Sequence, residues 1–150
     1  MTQDREAIIK ALKPYFAVKE LVCPHVYARW GERSWQFLDT NLLHCLLILR
    51  VTVIARPMYV NGKTYTQRGL RCNLCDLVKS KSVVYLSPHL MGKAIDFTIG
   101  GLTAEQGRRL IIAKADLFPC NIRLEDGVSW IHFDVQNQYG NNAKVYVFKG

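Results

Sequence analysis

The chain has 150 residues, a formal net charge of +8 and 49% hydrophobic residues. That length suits one domain with a real core, and the hydrophobic share excludes wholesale disorder. No apolar run reaches the roughly 18 residues of a membrane span; the longest, LLHCLLILRVTVIA, is broken by His44 and Arg50. The N-terminus MTQDREAIIKALK carries two acids and only a short apolar set, so it does not read as a secretion signal. The chain is therefore expected to be cytoplasmic when synthesised, and release by lysis is the route left to a target outside the cell. Five cysteines, an odd number without a signal peptide, argue against a disulfide framework and for reduced, buried thiols. The positive balance suits any polyanion, but no repeat and no nucleic-acid motif accompanies it, so no specific nucleic-acid partner is expected.

In chain order, residues 2–13 read as a short amphipathic helix with Ile8, Ile9 and Leu12 on one face, stopped by Pro14. The stretch YFAVKELVCPHVYARWGERSW mixes loop with short helix. Asp39 or Thr40 is a good N-cap for a core helix carrying Leu42, Leu43, Leu46, Leu47 and Leu49. VTVIARPMYV is β-branched and reads as a strand interrupted at Pro57. NGKTYTQRGLRCNLCDLVKSKS reads as a long polar loop of the kind that carries function. VVYLS is expected to form a strand, and KAIDFTI alternates cleanly, with Ile95, Phe97 and Ile99 on one face and Ala94, Asp96 and Thr98 on the other. Thr103 and Gln106 form a capping box for a helix running to about Asp116. NIRLEDGVSWIHFDV reads as a hairpin turning at Asp126-Gly127, and KVYVF as a closing strand. The fold class expected is α+β, an antiparallel sheet with flanking helices. A single domain covers 1–150, with a helical lead-in over 1–50 and the sheet and metal site over 51–150.

The chemistry concentrates on one sheet face. A two-residue turn pairs Glu125 with Val128, Arg123 with Trp130 and Asn121 with His132, so Arg123 and Glu125 share the face of His132 and Asp134. Asp96 stands on the matching face of its own strand. If the two strands are neighbours, Asp96 and His132 converge, and His89 reaches the same point from the turn before. Two imidazoles and one carboxylate leave a fourth position open for water, the arrangement of a catalytic zinc. Gly92 allows a tight turn between the first two ligands, and Ala94 leaves room for substrate. The simpler reading is a solvated polar face.

The segments SPHLMGKAIDF and WIHFDV shift that balance. They resemble the Ser-x-His-x-x-Gly-x-Ala-x-Asp and Trp-x-His motifs of a zinc peptidase family. That family holds D-alanyl-D-alanine carboxypeptidases, D,D-dipeptidases and phage L-alanyl-D-glutamate endolysins, and the Hedgehog signalling domain shares its fold. The match falls on Ser87, His89, Gly92, Ala94, Asp96, Trp130 and His132, and RGLRCN is similar to the family's arginine segment at Arg71. The resemblance implies a Zn2+ held by His89, Asp96 and His132, with Arg71 binding or polarising the substrate and a peptidoglycan peptide as substrate. Ser87 and Asp134 would support the ligands from behind. The implied activity is a zinc metallopeptidase, either carboxypeptidase or endolysin-like endopeptidase. The chain departs from the family at the general base, where Ser129 stands in place of an acid. Glu125 is the carboxylate on the correct face, but the two-residue turn leaves it roughly 13 Å along the strand from His132, so only a bulge or a wider turn brings it near. The alternative is a catalytically silent zinc-binding module that recognises wall fragments or a protein partner.

Cys23-Pro24-His25 and Cys72-Asn73-Leu74-Cys75 could combine into a second metal site, but the first pair has unusual spacing, and buried free cysteine is the simpler reading. Lys79, Lys81, Arg108 and Arg109 read as solvated surface.

Overall fold

The computed structural model describes residues 4–150. The first helix, α1 (Arg5–Leu12), buries Ile8, Ile9 and Leu12 as the periodicity requires; the part of that expectation falling on residues 2 and 3 lies outside the described residues. Short 3-10 turns at Val18–Glu20 and Gly31–Phe37 flank α2 (Pro24–Trp30), which has proline in its first turn. Helix α3 (Thr40–Ile48) begins where the cap was expected: the Asp39 side chain accepts from the Leu42 amide.

The β-branched run after α3 is not a strand. Residues Leu49–Val53 continue the helix as a π-turn, and the strand β1 is only Met58–Tyr59. Leu49 and Val53 are both buried, so the apolar stripe of α3 extends through them and outweighs the strand preference of the valines and threonine. VVYLS is not a strand either: Val83, Val84 and Leu86 are exposed and irregular. The edge of the next strand that they would need is taken by other segments, since the Asp96 amide donates to the Arg68 carbonyl and Met58 pairs with Ile99.

That strand, β2, spans Ala94–Ile99. Helix α4 (Asp76–Lys79) precedes it in the polar loop. Helix α5 (Ala104–Ala113) follows, opened by the reciprocal bonds of Thr103 and Gln106, and a 3-10 turn at Ala115–Leu117 completes it. Strands β3 (Ile122–Asp126), β4 (Ile131–Asp134) and β5 (Val145–Lys149) close the chain. The sheet order is β1-β2-β4-β3-β5. All pairings are antiparallel except β3 with β5, which is parallel, so the sheet is mixed and not purely antiparallel as expected.

One cluster of buried side chains joins the helical lead-in to the sheet, running from Ile8, Leu12, Leu42 and Leu46 to Phe97, Ile111, Leu124 and Phe133. It occupies one face of β2 and β4. The other face carries the polar side chains.

Candidate metal centre

Strands β2 and β4 are neighbours, and their register sets Asp96 directly opposite His132. Residues opposite each other in an antiparallel pair point to the same side, so the two side chains meet. His89 arrives from the turn before β2. That turn depends on Gly92, which has φ +68° and lies so close to the Phe37 carbonyl that a Cβ would collide with it. The Asp39 amide donates to the Gly92 carbonyl and anchors the turn to the start of α3.

The ligand atoms of His89, Asp96 and His132 all lie within 4.8 Å of one another. All three residues are buried. The outer nitrogen of each ring has a dedicated acceptor: His89 Nδ1–H donates to the Gly69 carbonyl at 2.9 Å, and His132 Nε2–H donates to Asp134 Oδ2 at 2.6 Å. This leaves His89 Nε2 and His132 Nδ1 facing the two oxygens of Asp96, at 3.3 and 2.8 Å. Imidazoles oriented from behind, with their inner nitrogens converging on a carboxylate, form a donor group that could hold a metal ion.

The supporting layer is itself braced. Asp134 has no exposed surface. Arg123 grips its two oxygens at 2.8 and 3.0 Å, and the Gln136 amide donates to it as well. Ser87 accepts from the His89 amide at 3.3 Å. Burial opposes charge on Asp96, yet the His132 and His89 rings hold its carboxyl well below the usual range. Burial likewise opposes charge on Asp134, and His132 and Arg123 hold it down. Burial works against the charged His132 ring, but Asp134 and Asp96 lift it to about 9.

A cleft of about 350 Å³ opens onto this group and is lined by Arg71, Ser87, His89, Asp96, Glu125 and His132. A second, of about 480 Å³, shares Arg71, Asp96 and Trp130 with it and extends to Thr66 and Ser129. A hollow of about 520 Å³ against Val22, Pro24 and Tyr27 contains none of these ligands. Arg71 is held by its own Nε, which donates to the Gln67 carbonyl at 2.6 Å, while Nη2 lies 3.4 Å from Asp96 Oδ2.

The hairpin differs from expectation in a way that matters. Arg123 pairs with Asp134 and Leu124 with Phe133, so the turn at Asp126-Gly127 is wider than two residues. Continued one step, that register brings Glu125 opposite His132. The slip is an even number of residues, so the expected division into polar and apolar faces survives it. Among the described residues, Glu125 makes no side-chain hydrogen bond and no ion pair. Ser129 is exposed and lines the second cleft, which Asp96 and Arg71 also border, but not the first, which holds Glu125 and both histidines.

Two other expectations need correction, and a third question left open by the sequence gains an answer in geometry. Ala94 is fully buried opposite Asp134, so its small size serves packing and not substrate access. Arg108 is buried and not a surface cation; its Nη1 donates to the carbonyls of Val128 and Trp130 and so fixes the widened loop. Cys23, His25, Cys72 and Cys75, for which a second metal site stood open beside the simpler reading of buried free cysteine, come together as a second group whose ligand atoms are all within 4.8 Å. Arg123 had a signal in the sequence, its place on the polar face, but its grip on Asp134 depends on the register and could not be read without it. The Gly69 carbonyl had no signal.

No helix among the described residues is long and apolar enough to cross a membrane. Comparison with family models, curated proteins and solved structures finds no match to this chain.

Proposed function

We propose that the chain is a zinc-dependent peptidase that hydrolyses peptide bonds of peptidoglycan. The observation that carries this reading is the placement of Glu125, an unpaired carboxylate, in the same cleft as the convergent His89, Asp96 and His132. The two-nitrogen, one-oxygen donor set suits zinc with an open coordination position. When bound, zinc supplies Lewis-acid polarisation of the scissile carbonyl and acidifies a water molecule.

The chain's own residues do the rest. Glu125 takes a proton from the attacking water and returns it to the leaving amine as the C–N bond breaks. Arg71 keeps its guanidinium at the junction of the two clefts, where it can fork onto a carboxylate or carbonyl of the substrate. The likeness of SPHLMGKAIDF and WIHFDV to the zinc peptidases supports a wall peptide as substrate, and the net positive charge favours approach to an anionic wall polymer.

The test is Glu125→Gln beside Ser129→Ala, assayed by mass spectrometry of peptides released from purified peptidoglycan. Glu125→Gln should keep its metal and lose about 10²–10⁴-fold in rate, the usual worth of a general base; Ser129→Ala should stay near wild type. Equal activity of Glu125→Gln and wild type would remove Glu125 from the mechanism. Hydrolysis absent from every metallated form, with wall fragments still bound, would favour the silent binding module.

A further inference from the structure

We propose that Cys23, His25, Cys72 and Cys75 form a second, structural metal site that takes one zinc ion in tetrahedral Cys3His coordination. The inference is independent of the peptidase reading. His25 Nδ1 lies 3.6 Å from Cys72 Sγ and 3.8 Å from Cys75 Sγ. A regular tetrahedron with zinc–sulfur bonds of about 2.3 Å and zinc–nitrogen bonds of about 2.0 Å has nitrogen–sulfur edges of roughly 3.5 Å. The observed separations lie close to the edges of such a tetrahedron, and one ring nitrogen stands at that distance from two sulfurs at once, where a single thiol–imidazole hydrogen bond would need only one.

The loop around the cysteines supplies a second observation. The Leu74 amide points at Cys72 Sγ at 3.4 Å, and the Cys72 amide points at Cys75 Sγ at 3.4 Å. Backbone N–H groups directed at sulfur favour the thiolate, the form that binds a metal, against the burial that pushes the Cys75 thiol up. All five cysteines of the chain are free, so no disulfide accounts for the cluster. Three soft sulfurs and one imidazole select zinc over harder cations.

The position gives the site a purpose. Val22 and Leu70 form a parallel bridge, and the Cys23 amide donates to the Leu70 carbonyl. Gly69 lies so close to the Leu21 carbonyl that a Cβ would clash with it. The strip tied down in this way includes the Gly69 carbonyl that orients His89 and the Arg71 side chain beside Asp96. The polar loop that follows has little core of its own: Leu74, Leu77, Val83, Val84 and Leu86 are all exposed. A metal staple substitutes for hydrophobic burial where a segment cannot supply it.

Cobalt replacement in the full-length chain tests the proposal. Wild type should bind about two cobalt ions per chain and show thiolate-to-cobalt charge transfer in the near ultraviolet, since only the cysteine site supplies sulfur. His132→Ala should drop to about one ion and keep the charge transfer; Cys72→Ser, which leaves two thiolates, should weaken both the charge transfer and the affinity for cobalt. A second measurement on wild type covers the case where Cys72→Ser does not fold. With zinc bound, Cys72 and Cys75 should resist alkylation in native protein, and a chelator should expose them, while Cys45 and Cys120 react the same way in both states. Cobalt binding without any thiolate band, or alkylation of Cys72 that ignores zinc and chelator alike, would overturn the proposal.

Discussion

Asp134 has no contact with solvent, and three groups share its carboxylate: the Arg123 guanidinium, the His132 ring and the Gln136 amide. The carboxylate sets which nitrogen of His132 carries hydrogen and so which one faces Asp96. Asp134→Asn keeps the shape and removes the charge. It should weaken metal binding by about 10–100-fold, the usual worth of an outer partner of a ligand histidine, as read by competition with a chromogenic chelator; unchanged affinity would show that the ring needs no such support. At this scale the sequence was informative where a period of two governs. Asp96, His132, Asp134 and Glu125 fall on one face by alternation alone. It was silent where a main-chain atom does the work, the Gly69 carbonyl behind His89; it offered Cys23 and His25 with Cys72 and Cys75 as a second group but could not say whether the two halves meet. Arg108 was misread because a cation on an amphipathic helix looks the same whether it meets water or two carbonyls of a neighbouring loop.

Two elements decide the site, the turn before β2 and the β3–β4 hairpin. The turn delivers His89 to Asp96 through Gly92, whose positive φ and contact with the Phe37 carbonyl leave no space for a side chain. Gly92→Ala should therefore cost stability on the order of 1–3 kcal/mol, the range for forced backbone strain, measured by denaturant unfolding. An unshifted midpoint would mean that the turn relaxes freely. The hairpin was half legible. Its strands and faces followed from alternation, but Asp126-Gly127 suggested the tightest turn. The wider loop is held by Arg108 through the carbonyls of Val128 and Trp130, contacts between elements that no local pattern reveals. The π-turn after α3 has a similar cause, since continued burial of Leu49 and Val53 outweighs β-branched propensity. VVYLS had the composition of a strand, but the edge of β2 that follows it is taken by Arg68 and β1.

Across the molecule, the helical lead-in and α5 cover the apolar side of β2 and β4, leaving the opposite side for the polar group. That division puts two buried histidines and a buried aspartate at the floor of a cleft without cutting into the core. The parallel pairing of β3 with β5 lies beyond the reach of short-range sequence signals, because it needs a connection from β4 back to the far edge of β3. The claim that unites these features is that His89, Asp96 and His132 hold a metal on which peptide hydrolysis depends. The most direct measurement pairs metal analysis with mass spectrometry of peptidoglycan digested by wild type and by His132→Ala. Wild type should lose its cleavage products when chelated and regain them with zinc, while His132→Ala, folded and lacking that ion, yields none. Intact wall peptides after digestion with fully metallated wild type, or equal cleavage by His132→Ala, would contradict it.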